Sequence, residues 1–422
     1  MSLFPDLRLS SLVRHYRDPL FRNSLYISLS RFSEMGFGFV FWLIAAHFYT
    51  IGEVGEAAAI ISSLGIVLML SRFGFDASQI RFMKDYDREV IFNTCLWITA
   101  IGAIVIGGLY FIVIRYFTVA STFLHGNFFL FVAVAFLMSI TMTTSNAFMS
   151  FQRAEFRFVQ NLMLGLRIPV MIFLVSLGSL GLFLSYGAAY LITVAFGILL
   201  IVRFVPIKFE IDRDFTRETS RYTSLGYFST LFQTIPVLIM PLLIISLSSA
   251  ENAALYYIAF AFGSLVLVIP DAIGMSFFVE GSQGHPVKKG IVRAFSTSIL
   301  VLIPVIVILW VFGGTVLHWL GKDYAGALEL LKIFILSGFF ISVYQLFLYL
   351  EGIRMEPDIA CIFNIIRAVL LIVLSYAFLV MFGIIGVAWA WMFTHAILCV
   401  LILWYLRKHV LKEVKGHALF QG

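Results

Sequence analysis

Residues 21–82 read FRNSLYISLSRFSEMGFGFVFWLIAAHFYTIGEVGEAAAIISSLGIVLMLSRFGFDASQIRF. Two apolar runs flank the short stretch Thr50-Ile51-Gly52-Glu53, and each is long enough to cross a bilayer as a helix of about 20 residues. Yet these runs carry Arg31, Glu34, Arg72 and Asp76. An arginine in hydrocarbon costs about 2.5–3.5 kcal/mol even on lenient insertion scales, so such a residue faces a bundle interior or an aqueous cavity. Arg167 and Arg367 interrupt later apolar runs in the same way. Four arginines of this kind predict a transporter with a cationic pocket. The guanidinium fork fits phosphate or carboxylate, which makes the expected cargo anionic.

The whole chain agrees with that class. Its 422 residues are 61% hydrophobic and 12% charged, with a mean hydropathy of +1.00, which excludes a soluble globule with a mixed charged surface. An all-α, polytopic membrane protein is expected. About twelve spans are predicted, near 24–48, 54–80, 91–114, 127–151, 158–178, 183–204, 223–247, 252–278, 291–313, 327–350, 359–381 and 384–406. The first span holds Arg31 and Glu34 and is too long for the apolar core of a signal peptide, so a retained helix is expected there. The loop lysines and arginines, from Arg8, Arg14, Arg17 and Lys84 to Arg407 and Lys408, fall on one side of this arrangement, with only Arg115 and Lys322 on the other. By the positive-inside rule both termini are expected to be cytoplasmic. The net charge of +6 thus signals topology and calls for no nucleic-acid partner. Trp42, Trp310 and Trp319 are expected in an outer aromatic belt, and Trp97 and Trp404 in an inner one.

The two halves of the chain look related. Glu53 and Gly65 recur as Glu251 and Gly263, 198 residues on, while Gly74 and Arg167 recur as Gly274 and Arg367 at 200. Six spans per half make the repeats parallel, two six-helix lobes with the cargo site expected between them. The domains are therefore 1–205, a charged cytoplasmic linker 206–224, and 225–422.

The quoted stretch resembles the opening two helices of the polysaccharide transporters, or Wzx-type oligosaccharide flippases, of the multidrug/oligosaccharidyl-lipid/polysaccharide (MOP) flippase superfamily. Arg22-Asn23, the aromatic run Gly36 to Trp42, Glu53-Val54-Gly55 and Ser71-Arg72-Phe73-Gly74 carry the likeness. The resemblance implies a V-shaped, MATE-like pair of lobes. It implies a flippase that moves polyprenyl-diphosphate-linked oligosaccharide from the cytoplasmic to the outer leaflet by alternating access. The implied partners are that lipid-linked glycan, membrane lipids, a coupling H+ or Na+, and polysaccharide assembly proteins. Two further helices mark lipid II flippases of the MurJ kind, and the twelve expected spans do not include them.

Arg31, Arg72, Arg167 and Arg367 are expected at one depth in the inner half of the membrane, where a diphosphate entering from the cytoplasmic leaflet meets them. The bland alternative pairs Arg31 with Glu34 and Arg72 with Asp76, at helical spacings of three and four. Glu34, Asp76 and Asp271 are the coupling-ion candidates; Asp271 follows Pro270 with no basic neighbour in sequence. Asn161, Gln233 and Asn364 are expected to meet sugar hydroxyls, joined by Thr143, Asn146 and Gln345, although such groups also tie helices together. A cation-coupled antiporter of the multidrug-and-toxin-extrusion type is the alternative function. It would rest on the carboxylates.

Enzyme signatures are poor. Neither HExxH nor a P-loop occurs, and no cofactor or metal is indicated. Cys95, Cys361 and Cys399 lie in apolar runs and are expected as core packing. Asp85-Tyr86-Asp87 and Asp212-Arg213-Asp214 resemble the DxD pair of glycosyltransferases, but the short loops that hold them leave no room for a catalytic domain.

Overall fold

Helices α1 (Pro19–Phe48) and α2 (Ile51–Ser71) turn about Thr50, and the turn explains itself chemically. The Thr50 hydroxyl accepts from Glu53 N–H while the Glu53 carboxylate accepts from Thr50 N–H at 2.9 Å, a reciprocal capping box that starts α2. The computed structural model describes residues 19–83, 85–117 and 126–419. Arg8, Arg14, Arg17 and Lys84, used in the charge argument above, lie outside the described residues.

The described chain continues through α3 (Phe75–Arg81), α4 (Arg88–Phe117), α5 (Phe128–Ser150), α6 (Ala154–Leu164), α7 (Arg167–Phe173) and α8 (Ser179–Ile201). It ends with α9 (Arg213–Leu247), α10 (Ala250–Ser282), α11 (Val287–Leu320), α12 (Ala327–Ile353), α13 (Pro357–Phe382) and α14 (Ile384–Leu419). Among the described residues the fold is all-α, and twelve segments are long and apolar enough to cross a membrane. Two compact units result, residues 1–227 and 228–422, with the boundary inside α9.

Two expected spans are broken, and both breaks have local causes. The run 54–80 stops at Ser71, because Phe73 and Gly74 take positive φ values of 49° and 83° before α3 begins. Arg72 is therefore the C-cap of α2 and not a mid-helix residue. The run 158–178 starts earlier, at Ala154, and divides into α6 and α7. Pro169 has no N–H to return to Gly165, so the bonding slips to Ile168 N–H with Gly165 C=O at 3.0 Å and α7 restarts at Arg167.

The segment 206–212, expected as a linker, is extended and fastened to α4. Asn93 donates to Pro206 C=O and accepts from Lys208 N–H, both at 3.0 Å. Thr94 accepts from Asp212 N–H at 3.0 Å, and Trp97 donates to Lys208 C=O at 2.7 Å. Lys208 also pairs with Glu89, whose hydrogen bond raises the lysine's pKa. Asp212 then caps α9 by accepting from Phe215 N–H at 2.7 Å, and Phe215 is fully buried against Phe75, Phe82 and Ile91. One DxD pair is thus a helix cap. Tyr86 of the other donates to Glu218, which, with burial and nearby acids, pushes its hydroxyl up to about 12. Trp97 consequently serves the linker, and Trp42, only 4% exposed, is core; Trp310, Trp319 and Trp404 are exposed.

The three cysteines are buried and unpaired, as expected of core residues. In the second unit α10 and α12 pack closely enough that a Cβ on Gly263 would lie 2.8 Å from that of Phe334. Helix α11 buries Ala294, Ser298, Leu302 and Ile306, a spacing of four, and leaves Leu300, Val307 and Val311 exposed as lipid-facing groups do.

Each unit closes with the same turn. Gly178 and Gly383 take φ of 58° and 66°, and three residues on, a Cβ at Gly181 or Gly386 would collide with the carbonyl oxygen of Leu174 or Phe378. The offset is 205, a better-preserved repeat than those at 198 and 200. We expect Gly181→Ala and Gly386→Ala each to lower stability by about 1–3 kcal/mol. Gly36→Ala in α1, where nothing lies within 4 Å, should be neutral or slightly stabilising; thermal unfolding in detergent checks all three.

Candidate functional site

In the first unit α1 and α6 run side by side. Tyr26 meets Phe158 with ring centroids 5.9 Å apart, Asn161 donates to Ser30 C=O at 2.9 Å, and Phe37 lies 3.1 Å from where a Cβ on Gly165 would stand. This pairing brings Arg157 of α6 within electrostatic reach of Arg31 and Glu34 on α1, and of Arg72 at the end of α2. Arg72 Nη2 bonds Asp76 Oδ2 at 2.5 Å, as its spacing predicted. Arg31 and Glu34 are exposed, and among the described residues no ion pair joins them, so that half of the expected pairing is absent. The amide of Asn161 is engaged by its bond to α1.

Arg167 stands apart. It is 7% exposed, with Tyr186 stacked at 4.7 Å and Phe41 at 5.4 Å from the guanidinium. Among the described residues it has no acidic partner, and its Nε meets no acceptor. Ring faces attract a desolvated cation by about 2 kcal/mol or more, but they leave the fork of N–H donors unsatisfied. Tyr190, within reach of both Arg167 and Glu34, links this cage to the three-arginine cluster.

The second unit repeats the cage with a different outcome. Arg367, 5% exposed, lies 5.3 Å from Trp391 and 5.7 Å from Tyr344. Its Nε donates to His395 Nε2 at 3.2 Å and its Nη1 to Gln233 C=O at 2.9 Å. His395 Nδ1 lies 2.8 Å from Trp391 C=O, so the neutral tautomer with Nδ1–H donating satisfies both contacts. Asn364 accepts from Tyr344 and donates to Ser229 Oγ at 2.8 Å, so both ends of its amide are occupied. Asp271 Oδ1 accepts from Gln345 Nε2 and Tyr349 Oη, each at 2.7 Å, and no ion pair to it occurs among the described residues.

Arg31 lies twelve residues into α1, Arg367 ten into α13, and Arg167 thirteen beyond Ala154, roughly 15–20 Å from the respective starts at 1.5 Å per residue. Arg157, His395, Tyr186 and Trp391 join these sites without a signal at the expected spans. Arg157 lies within α6 and not in a loop, because α6 begins at Ala154, four residues before the expected span. Tyr186 and Trp391 were detectable, each eight residues after its positive-φ glycine, Gly178 or Gly383.

Twelve candidate spans among the described residues, in two compact units that each cage a buried guanidinium between aromatic rings, define a polytopic all-α membrane protein. The family model described as polysaccharide biosynthesis protein matches residues 20–279, more than half of the chain, and the chain belongs to that family. No curated protein matches the sequence at a significant level. Among solved structures, an inward-facing multidrug resistance MATE family transporter of the MOP superfamily superposes with a TM-score of 0.72 at 13% identity, covering 93% of this chain and 99% of that one. The lipid II flippase MurJ in an inward closed conformation gives 0.70 at 13% identity, covering 91% and 87%. A MOP superfamily transporter from Pyrococcus furiosus, whose structure is described as showing a binding pocket of reverse polarity suggesting a different function, gives 0.62 at 12%, covering 93% and 95%.

The two caged arginines should behave oppositely. Arg367→Leu leaves Gln233 C=O and His395 Nε2 unpaired, each costing about 1–3 kcal/mol, and should lower the unfolding temperature in detergent. Arg167→Leu removes a buried cation without breaking a bond and should leave that temperature unchanged or raise it.

Proposed function

We propose that this chain flips a polyprenyl-diphosphate-linked oligosaccharide from the cytoplasmic to the outer leaflet by alternating access. The observation that carries the proposal is Arg167, a buried guanidinium with neither acid nor acceptor. A cation so placed gains most from an anion brought by a ligand. Arg31, Arg72 and Arg157 gather in the same unit, and Arg157 joins the residues named from sequence. A diphosphate offers enough acceptor oxygens for several guanidinium forks at once. Membership in a polysaccharide biosynthesis family supports a glycan as the remainder of the cargo.

In this proposal Arg367 holds its own unit together, with Asn364 and Asn161 as framing groups, while the side chain of Gln233 remains a candidate for sugar contact. Polysaccharide assembly proteins are the partners such a cargo implies. The activity is transport, not group transfer, in keeping with structural neighbours that are transporters and with Asp212 serving as a helix cap.

Arg167→Ala and Arg157→Ala should each abolish glycan export in cells while the protein still reaches the membrane. Arg167→Lys should restore export only in part, because an ammonium keeps the charge and loses the fork. Normal export by both alanine variants refutes the arginine receptor.

The proposed orientation puts both termini in the cytoplasm of an inner-membrane protein. A cysteine introduced at Asp323 should label from outside intact cells, and cysteines at Asp214 and His285 only after permeabilisation. Outside labelling at Asp214 reverses the assignment.

A further inference from the structure

Helices α11, α12 and α14 of the second unit leave a groove between them with a volume of about 280 Å³. Leu346, Phe347 and Ile402 form its floor, each no more than 2% exposed, while Val292, Phe295 and Leu403 on its rim are exposed. Every described side chain that lines it is apolar. Such a wall offers water no partner, so the groove suits hydrocarbon and stands open to it at the rim.

One end of the groove is basic on all three helices. Val287, Ile353 and Leu406 pack against a single buried cluster that holds Leu346 and Leu350, and in each case the next residue is a cation: Lys288, Arg354 and Arg407. Helical spacing puts them on the groove's side. Lys288 stands one turn before Ile291 and Val292, Arg407 one turn after Leu403, and Arg354 two turns after Phe347. Arg354 shares its guanidinium with Glu351 at 3.1 Å, whereas Lys288 and Arg407 are exposed and enter no ion pair among the described residues. Trp404, exposed next to Leu403, has Lys408 Nζ 5.1 Å from its ring centre, as an interfacial tryptophan with a snorkelling lysine would. The level of lipid headgroups therefore passes across this end. Topology asks only that loop cations gather on one side of the membrane. It does not require that three of them surround the mouth of an apolar groove.

We propose that the groove holds an acyl chain of an anionic phospholipid whose phosphate lies at Lys288 and Arg407, with Arg354 behind them. The chain covers the exposed hydrocarbon of the rim, and each basic side chain at headgroup level adds its own attraction. A zwitterionic headgroup brings an ammonium of its own to a mouth that is already cationic, so the anionic class is preferred. The groove lies wholly in the second unit and shares no residue with the arginine receptor proposed above, so it does not rest on the nature of the cargo. In the orientation proposed above, the lipid comes from the cytoplasmic leaflet. Bound there, it joins the ends of α11, α12 and α14 and stabilises the folded unit.

The test is thermal unfolding and native mass spectrometry of the purified, delipidated full chain, titrated with phosphatidylglycerol or with phosphatidylcholine of the same acyl chains. Phosphatidylglycerol should raise the unfolding temperature at the lower concentration and stay bound to the intact chain. Lys288→Gln and Arg407→Gln, both at exposed positions, should each raise the phosphatidylglycerol concentration for half-maximal stabilisation about fivefold and leave the response to phosphatidylcholine unchanged. Leu403→Trp, which fills the groove from its exposed rim, should abolish stabilisation by either lipid. Glycerol 3-phosphate, a phosphate without chains, should have no effect; stabilisation by it alone makes the site one for free phosphate and overturns the groove. Equal stabilisation by the two lipids, unaltered in the variants, overturns the site altogether. Two further results overturn the phospholipid as occupant: a polyprenyl phosphate that binds more tightly than phosphatidylglycerol and is lost in Leu403→Trp, or a dimer that Leu403→Trp separates.

Discussion

A guanidinium held in a water-poor interior without a carboxylate is the constraint on which the first unit depends. Removing a charge from water costs several kcal/mol even after relaxation, and Arg167 meets only the faces of Phe41 and Tyr186. Placing it there takes three local events. Pro169 breaks the helix so that Arg167 opens α7, the glycine turn at 178–181 brings α8 back alongside, and α1 supplies Phe41. None of these is a large energy. Together they hold a cation where it has most to gain from an anion.

The second unit shows what the same frame does when the cation is satisfied from within. Arg367 has equivalent ring neighbours, yet His395 and a backbone carbonyl of α9 take its donors. Pro236, three residues on, supports that contact, because a proline within a helix loosens the backbone bonding one turn before it. The two units share the cage and differ in its use: one arginine is bonded into the frame, the other left open.

The acids divide similarly. Asp76 has its cation at 2.5 Å, whereas Asp271 is held by two neutral donors on one oxygen. An amide and a phenol bring Asp271 hydrogen bonds alone, whereas an arginine brings Asp76 a charge as well. This difference comes from what lies beside each acid: Arg72 ends α2 next to Asp76, whereas Gln345 and Tyr349 of α12 reach Asp271.

Composition and patterning alone determined the membrane class, the number of spans, the cores holding the cysteines, the Arg72–Asp76 pair, and the family likeness carried by residues 21–82. These are consequences of local sequence: an apolar run of about 20 residues must be helical in lipid, because no water is present to satisfy its backbone. What the sequence could not reveal was which groups meet. Arg31 and Glu34 have the spacing of a pair yet form none, and Arg157, read as a loop charge, joins Arg31 and Arg72 because α6 lies along α1. Gly74 and Gly274 match in sequence, yet one breaks a helix at positive φ and the other admits the ring of Tyr349. Tertiary structure decided these, because a side chain's partner is set by the helix packed against it, and helical periodicity specifies a face without naming its neighbour.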